Sequence, residues 1–119
     1  MKKILLLVLL SFIVSFVNAE LLIDSDYEIN GTEIWTQDVN IGDASVIVNG
    51  QLIIEKDVMV TRSGVANIYV KGGILKVYGS PGNEVWFISE DGSEGPFIYC
   101  DPNSYLNEIE FAIFYDDWY

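Results

Sequence analysis

The last residues of the chain combine aromatic rings with carboxylates, the two side-chain types that most often contact sugars. The cluster consists of Tyr115, Asp116, Asp117, Trp118 and Tyr119. Sugars stack their apolar faces on aromatic rings, while carboxylates accept hydrogen bonds from hydroxyl groups. These five residues are therefore candidates for glycan contact. Aromatic side chains at a chain end also fold over the end of an apolar core and cap it, which is the interpretation we favour.

A second group of oxygen ligands lies in a polar, glycine-rich stretch between residues 89 and 96. Glu90, Asp91 and Glu94 could together hold a hard cation such as calcium. The composition of the stretch is also that of an ordinary surface loop, which is the interpretation we favour. These three residues are weak metal candidates, and no cofactor is expected.

A calcium loop is also suggested by acids spaced two residues apart at Asp24 and Asp26. Such a loop requires glycine at its sixth position and glutamate at its twelfth. The chain has Ile29 and Trp35 at those positions. We therefore expect a solvated acidic segment there and no calcium site.

The chain contains one cysteine and no histidine. Without histidine it lacks the commonest general base and the commonest zinc ligand. Cys100 follows the apolar residues Phe97, Ile98 and Tyr99, which predicts a buried thiol that packs as a small hydrophobic group. No residue is assigned a catalytic role.

The first 19 residues have the three parts of a secretory signal peptide. Lys2 and Lys3 precede the apolar stretch 4–17, and Ala19 closes an A-x-A-like site. An uncleaved membrane anchor is the alternative, but a spanning helix needs about 20 apolar residues. The pattern predicts cleavage after Ala19 and a mature chain that leaves the cytoplasm and has no membrane span.

Composition limits the mature chain to one small acidic domain. Loss of residues 1–19 leaves four basic and 18 acidic residues, a formal charge of −14. A domain of about 100 residues can bury one modest core. Its negative field repels phosphate groups, so nucleic acid and anionic membrane surfaces are excluded as partners.

Short β-branched and aromatic runs separated by Gly, Asn, Asp or Pro predict an all-β fold. The predicted strands are Val39–Ile41, Val46–Val48, Leu52–Ile54, Val58–Thr61, Asn67–Val70, Ile74–Tyr78, Val85–Ile88, Phe97–Cys100 and Glu108–Phe114. Apolar and acidic residues alternate most clearly in the last of these. Its alternation predicts one continuous strand with Ile109, Phe111 and Ile113 on the same face.

A repeat links two of these regions. Val48 recurs as Val70 and Gly50 as Gly72, each after 22 residues, and Leu52 recurs as Leu75 after 23. Strands and glycine corners that repeat at this period predict a β-solenoid, in which each turn stacks on the one before. A β-sandwich with similar strand spacing is the alternative.

Two segments within residues 30–90 resemble the opening coils of right-handed parallel β-helix proteins of the pectate-lyase-like superfamily. They are the run from Gly50 to Val60 and the pattern that joins Val70, Gly72, Leu75, Val77, Gly79, Asn83, Val85, Phe87 and Ser89. The resemblance implies a parallel β-helix. Polysaccharide lyases share this fold and resemble the chain in coil pattern only. Their chemistry implies calcium-binding acids and a basic residue on a strand. Arg62, the sole arginine, is predicted to lie in a turn over residues 61–64, which does not fit that role.

We therefore expect residues 20–33 to lead into a β-helix of about three coils over residues 34–119. The predicted function is that of a secreted or cell-surface, non-enzymatic module with an adhesive, envelope-structural or glycan-contacting role; periplasm or cell envelope are possible locations. The expected partner is an extracellular glycan, or another β-helix or surface protein bound through the C-terminal end. The alternative is a carbohydrate-active, polysaccharide lyase-like enzyme or the remnant of a longer β-helix protein.

Overall fold

A computed structural model describes residues 20–91, 95–104 and 106–116, with Asp116 described for its backbone alone. The predicted signal peptide, residues 1–19, lies outside the described residues. Glu94 of the weak metal candidates and Asp117, Trp118 and Tyr119 of the glycan candidates also lie outside them. In the described part of the chain, no helix is long and apolar enough to cross a membrane.

Every regular element in the described ranges is a short β-strand. The strands are β1 (Leu21–Leu22), β2 (Tyr27–Ile29), β3 (Thr32–Trp35), β4 (Val39–Asn40), β5 (Val46–Val48), β6 (Gln51–Glu55), β7 (Met59–Arg62), β8 (Ile68–Val70), β9 (Ile74–Tyr78), β10 (Val85–Ser89), β11 (Ile98–Cys100), β12 (Glu108–Glu110) and β13 (Ala112–Asp116). The all-β prediction is confirmed.

Each of the strands from β1 to β10 pairs in parallel with the strand three places further along the chain. Sheet 1 has the order β1-β4-β7-β10-β13, sheet 2 the order β11-β8-β5-β2, and sheet 3 the order β12-β9-β6-β3. The chain thus visits the three sheets in turn and forms a parallel β-solenoid of about four turns. The β-solenoid prediction is confirmed, and the β-sandwich alternative is wrong. The expected count of about three coils was low because β1, β2 and β3 already form a first turn that pairs with the second.

The predicted repeat is visible in the strand register. Val48 pairs with Val70 between β5 and β8, and Leu52 pairs with Leu75 between β6 and β9. The glycine of the repeat was misassigned by one residue. Because Gln51 pairs with Ile74, the counterpart of Gly50 is Gly73 and not Gly72. Gly72 is the inserted residue that lengthens the spacing from 22 to 23, and its φ of 74° suits glycine.

The core consists of the inward side chains of the three sheets, stacked in rows along the solenoid. In sheet 1, Val39, Val60 and Phe87 occupy one row and are completely buried. In sheet 3, Leu52 and Leu75 form another completely buried row. Burying such a side chain contributes about 1.5–3 kcal/mol, so these rows provide the main stabilisation of the fold.

One predicted strand was wrong. The run Glu108–Phe114 is divided into β12 of sheet 3 and β13 of sheet 1, with a corner at Phe111. Phe111 has a φ of 49°, which is unusual for a residue other than glycine. It fits against Gly79, where a Cβ atom would lie 2.2 Å from the Phe111 carbonyl oxygen. The corner leaves Ile109 on sheet 3 and Ile113 on sheet 1, so the regular alternation did not indicate one face.

In the first turn of the solenoid, one carboxylate on β3 accepts hydrogen bonds from side chains of both β2 and β3. Glu33 accepts a hydrogen bond from the Tyr27 hydroxyl, and a second from the indole Nε1 of Trp35 at 2.9 Å. A cleft of about 230 Å³ lies beside them, lined by Glu33, Tyr27 and residues 21–25. The bond to Glu33 raises the pKa of Tyr27 above its ordinary value of 10.0, and desolvation adds to the effect.

We predict that Tyr27 makes the protein less stable in alkali. A folded-state pKa above the unfolded value means that the stabilisation is complete below about pH 10 and is lost as the pH rises through the folded pKa. Thermal unfolding of Tyr27→Phe should therefore change less between about pH 9 and about pH 11 than that of the wild type. Tyr99→Phe, which removes an exposed hydroxyl elsewhere, is the control. An equal alkaline loss in Tyr27→Phe and the wild type would contradict the prediction.

Candidate glycan-contact face

The outward side of sheet 1 carries large apolar and aromatic side chains in two rows. Side chains alternate along a strand, so Val85, Phe87 and Ser89 of β10 are buried while Trp86 and Ile88 point outward. In-register pairing places Trp86 between Met59 and Ile113, and Ile88 between Thr61 and Tyr115. We call the surface formed by Met59, Trp86, Ile88, Ile113 and Tyr115 the aromatic face.

The aromatic face is open to solvent. Met59 is 39% exposed, Trp86 36% and Tyr115 45%, and Ile88 and Ile113 are half-buried. Neighbouring strands lie about 4.8 Å apart, so side chains in one row touch and leave few gaps. Contiguous exposed apolar surface of this kind marks interaction sites more often than scattered exposed residues do.

Two carboxylates border the aromatic face on the side of the first turns. Asp38 Oδ1 accepts a hydrogen bond from the backbone N–H of Met59 at 3.0 Å. Glu20 Oε1 accepts one from the Thr61 hydroxyl at 3.4 Å. The outward positions of the strands in sheet 1 hold no lysine or arginine, as read over the described residues. The surface thus combines aromatic rings with oxygen acceptors and carries no positive side chain.

One of the predicted glycan-contact residues lies on the aromatic face, whereas its central residue, Trp86, was not predicted. Tyr115, a predicted glycan-contact residue, lies on the face, and Asp116 is the last residue of β13, in register with Ser89. Trp86 was missed because it lies in an apolar run, where alternation gives no polar signal to separate outward from inward positions. The buried partners Val85 and Phe87 show its orientation only once the sheets are known.

Two of the carboxylates considered as metal ligands, those of Asp91 and Asp26, accept hydrogen bonds from backbone N–H groups. Asp91 Oδ2 accepts a hydrogen bond from the backbone N–H of Gly64 at 2.6 Å, and the N–H of Glu90 donates to the carbonyl of Arg62. Asp26 Oδ1 accepts from the N–H of Ser45 at 3.0 Å. Across the described ranges, no group of three His, Cys, Asp or Glu residues is arranged to hold a metal ion.

Arg62 does not lie in a turn, as the sequence had suggested, but ends strand β7 and is buried to 1% exposure. Its guanidinium donates hydrogen bonds to Ser89 Oγ at 2.7 Å and to the carbonyl oxygens of Ala66, Gly95 and Pro96 at 2.7, 2.8 and 3.0 Å. The guanidinium carbon also lies 4.6 Å from the centre of the Phe97 ring. Arg62 therefore fixes the segment before β11 from inside the solenoid.

Cys100 is exposed, whereas its apolar run predicted burial. Cys100 is the last residue of an inward row of sheet 2. The earlier residues of this row, Ile29, Val48 and Val70, are buried between neighbouring turns, whereas no later strand within the described residues covers Cys100. Desolvation raises the pKa of the thiol above its ordinary value of 9.0. The thiol is therefore protonated near neutral pH and is a poor nucleophile.

Sheet 2 carries a smaller aromatic pair on its outward side. The rings of Tyr69 and Tyr99 stack with centres 5.2 Å apart and planes inclined by 17°. Desolvation raises the pKa of Tyr69, and the negative charge of Asp101 adds to the effect. Because each of these rings stacks one side against the other ring, the pair offers less free ring surface than the aromatic face of sheet 1.

Comparison of the chain with protein-family models, curated proteins and solved structures finds no match. Its class is therefore defined by its architecture. Three parallel sheets with strands in register through about four turns define a parallel β-solenoid, consistent with a short β-helix.

Proposed function

We propose that this protein is a secreted or cell-surface, non-enzymatic β-solenoid module that contacts glycans through the aromatic face. The observation that carries the proposal is the joint exposure of Trp86 and Tyr115 on one side of sheet 1. Their strands are adjacent and in register, so both rings belong to a single surface. Asp38 and Glu20 supply acceptors for hydroxyl groups at its border.

The chemistry of sugar recognition supports this choice. The C–H groups on one side of a pyranose ring form an apolar surface that packs on aromatic side chains, while its hydroxyls require hydrogen-bond acceptors. Tryptophan and tyrosine are also the residues most enriched among those that dominate binding energies. The signal-peptide pattern of residues 1–19 supports a location where extracellular glycans are met.

We further propose that the chain is related to the right-handed, pectate-lyase-like β-helix proteins. The support is the pattern from Gly50 to Val60 together with the parallel strand order. The lyase-like alternative is less well supported, because its chemistry needs a basic residue facing a substrate. Arg62 faces the interior and donates to protein acceptors there.

A second candidate partner is another β-helix or surface protein bound at the last turn. Ile109 and Phe114 continue the inward rows of sheets 3 and 1, yet they are 46% and 54% exposed. Within the described residues, no strand pairs with the outer edges of β12 and β13, and open parallel edges with exposed apolar side chains favour pairing with a further strand. Light scattering across a range of protein concentrations tests self-association at this turn, with Phe114→Ser expected to reduce it.

We predict that Trp86→Ala weakens retention of the full chain on insoluble polysaccharides by about tenfold or more, since loss of a central aromatic contact costs about 2 kcal/mol. Depletion of the protein from solution over a polysaccharide panel measures the effect. Tyr99→Ala removes an aromatic ring from sheet 2 that is even more exposed than Trp86, at 49% against 36%, and is the matched control. If no polysaccharide retains the wild type, or if both variants bind like the wild type, the proposed function is wrong.

A further inference from the structure

The charge and shape of the aromatic face restrict the kind of glycan that it can bind. We infer that the ligand is an uncharged polysaccharide in an extended, ribbon-like form, contacted along the rows of sheet 1. This inference rests on the proposed function and adds the ligand class to it.

The charges around the face exclude an acidic glycan. Binding a carboxylated or sulfated sugar calls for a lysine or arginine beside the anion. Arg62 is directed into the core, and Lys76 lies on the outward side of sheet 3. Lys71 follows β8 of sheet 2, and Lys56 lies in the turn before β7, outside the rows of the face. The border of the face instead carries Asp38 and Glu20, within a chain of strong net negative charge. On the rows of the face, an anionic glycan would therefore meet repulsion without a compensating contact.

The arrangement of the strands favours an extended chain. Met59, Trp86 and Ile113 follow one another on three adjacent parallel strands in strict register. Such a row rises by about 4.8 Å per strand and stays on one side of the sheet. Ile88 and Tyr115 form the adjacent row, so Tyr115 lies diagonally from Trp86, at about 7–8 Å between backbones. The two rows lie about 6.6 Å apart along the strands, so an extended ribbon that covers both rows contacts both rings at once, whereas a single sugar contacts only one.

Retention measurements on polymers of different charge test the inference. The full chain is incubated with cellulose and with an insoluble β-xylan as neutral ribbons, and with polygalacturonate as the acidic polymer. We expect retention on at least one neutral polymer that Trp86→Ala reduces by about tenfold, and at least tenfold weaker retention on polygalacturonate. Short soluble oligosaccharides of the same sugars should compete only weakly.

Two charge variants distinguish the effect of a charge at the border of the aromatic face from the effect of the overall net charge of the protein. Asp38→Asn keeps the Oδ1 acceptor for Met59 but removes the charge, and Glu110→Gln removes one charge from sheet 3. Added retention on polygalacturonate should appear in Asp38→Asn and not in Glu110→Gln. Equal gains in both variants would overturn the argument from local charge.

The other outcomes distinguish this inference from the proposed function. Trp86-dependent retention that is as strong on polygalacturonate as on the neutral polymers leaves the glycan-binding role in place and overturns the ligand class. Competition by a single sugar as effective as the polymer overturns the extended form. If the protein binds none of the polymers, acidic or neutral, the proposed function itself is overturned.

Discussion

Replacing Arg62 with alanine is expected to lower the free energy of unfolding by about 3–5 kcal/mol. The guanidinium donates to Ser89 Oγ and to the carbonyl oxygens of Ala66, Gly95 and Pro96. Alanine leaves these acceptors without their donors and leaves a void beside Phe97. Because a domain of this size has a total stability of about 5–10 kcal/mol, the loss is a large fraction of it.

Urea unfolding followed by circular dichroism measures the effect. Lys71→Ala also removes one positive charge, but from an exposed side chain, and should change stability by less than about 0.5 kcal/mol. Should Arg62→Ala fail to fold, Arg62→Lys keeps a charge and some donors and is expected to fold with an intermediate loss. Wild-type stability in both Arg62 variants would show that these hydrogen bonds do not hold the segment before β11.

Replacing Gly73 with alanine is expected to cost about 3 kcal/mol, because a methyl group has no room at this corner. A Cβ atom at Gly73 would lie 2.4 Å from the carbonyl oxygen of Val48 and 2.5 Å from that of Gly50. Both atoms are backbone atoms of the preceding turn, so they cannot move without opening the contact between turns. The midpoint of thermal unfolding should fall by about 12 °C or more.

The first turn provides a matched control for this corner. Thr32, Gln51 and Ile74 pair in register, so Gly31 is the corner residue of the first turn that corresponds to Gly73. A Cβ atom at Gly31 meets no atom within 4 Å. Gly31→Ala should therefore leave the midpoint nearly unchanged or raise it slightly, since alanine restricts the unfolded chain. If both substitutions had the same effect, the close stacking of the turns at Gly73 would be incorrect.

The sequence contained enough information for the architecture because the fold repeats. The pairs Val48–Val70 and Leu52–Leu75 are inward neighbours on adjacent turns, so the same side-chain type fills the same space in each turn. The first turn was harder to predict, since β1 and β4 each have only two residues and carry little alternation. The corner at Phe111 could not be read, because its positive φ depends on the close approach of Gly79 from another turn.

The candidate site was less predictable than the fold for a physical reason. Apolar residues on both sides of β10 give the same local pattern whether they face the core or the solvent. Only the neighbouring strands decide that Trp86 points outward beside Met59 and Ile113. In the same way, the burial of Arg62 depends on acceptors that are about 30 residues away in the sequence, such as Ser89 and Pro96.

The central claim, that the aromatic face contacts glycan, is tested most directly by the indole N–H signals of the tryptophans in an NMR titration. Trp86 is on the face, whereas Trp35 is buried and its indole donates to Glu33, which makes it an internal reference. On titration with a soluble cello- or xylo-oligosaccharide, the chemical shift of the Trp86 indole N–H should change and reach a plateau at high ligand concentration. The chemical shift of the Trp35 indole N–H should stay fixed. A saturating shift elsewhere in the protein with the Trp86 signal unmoved would contradict the account.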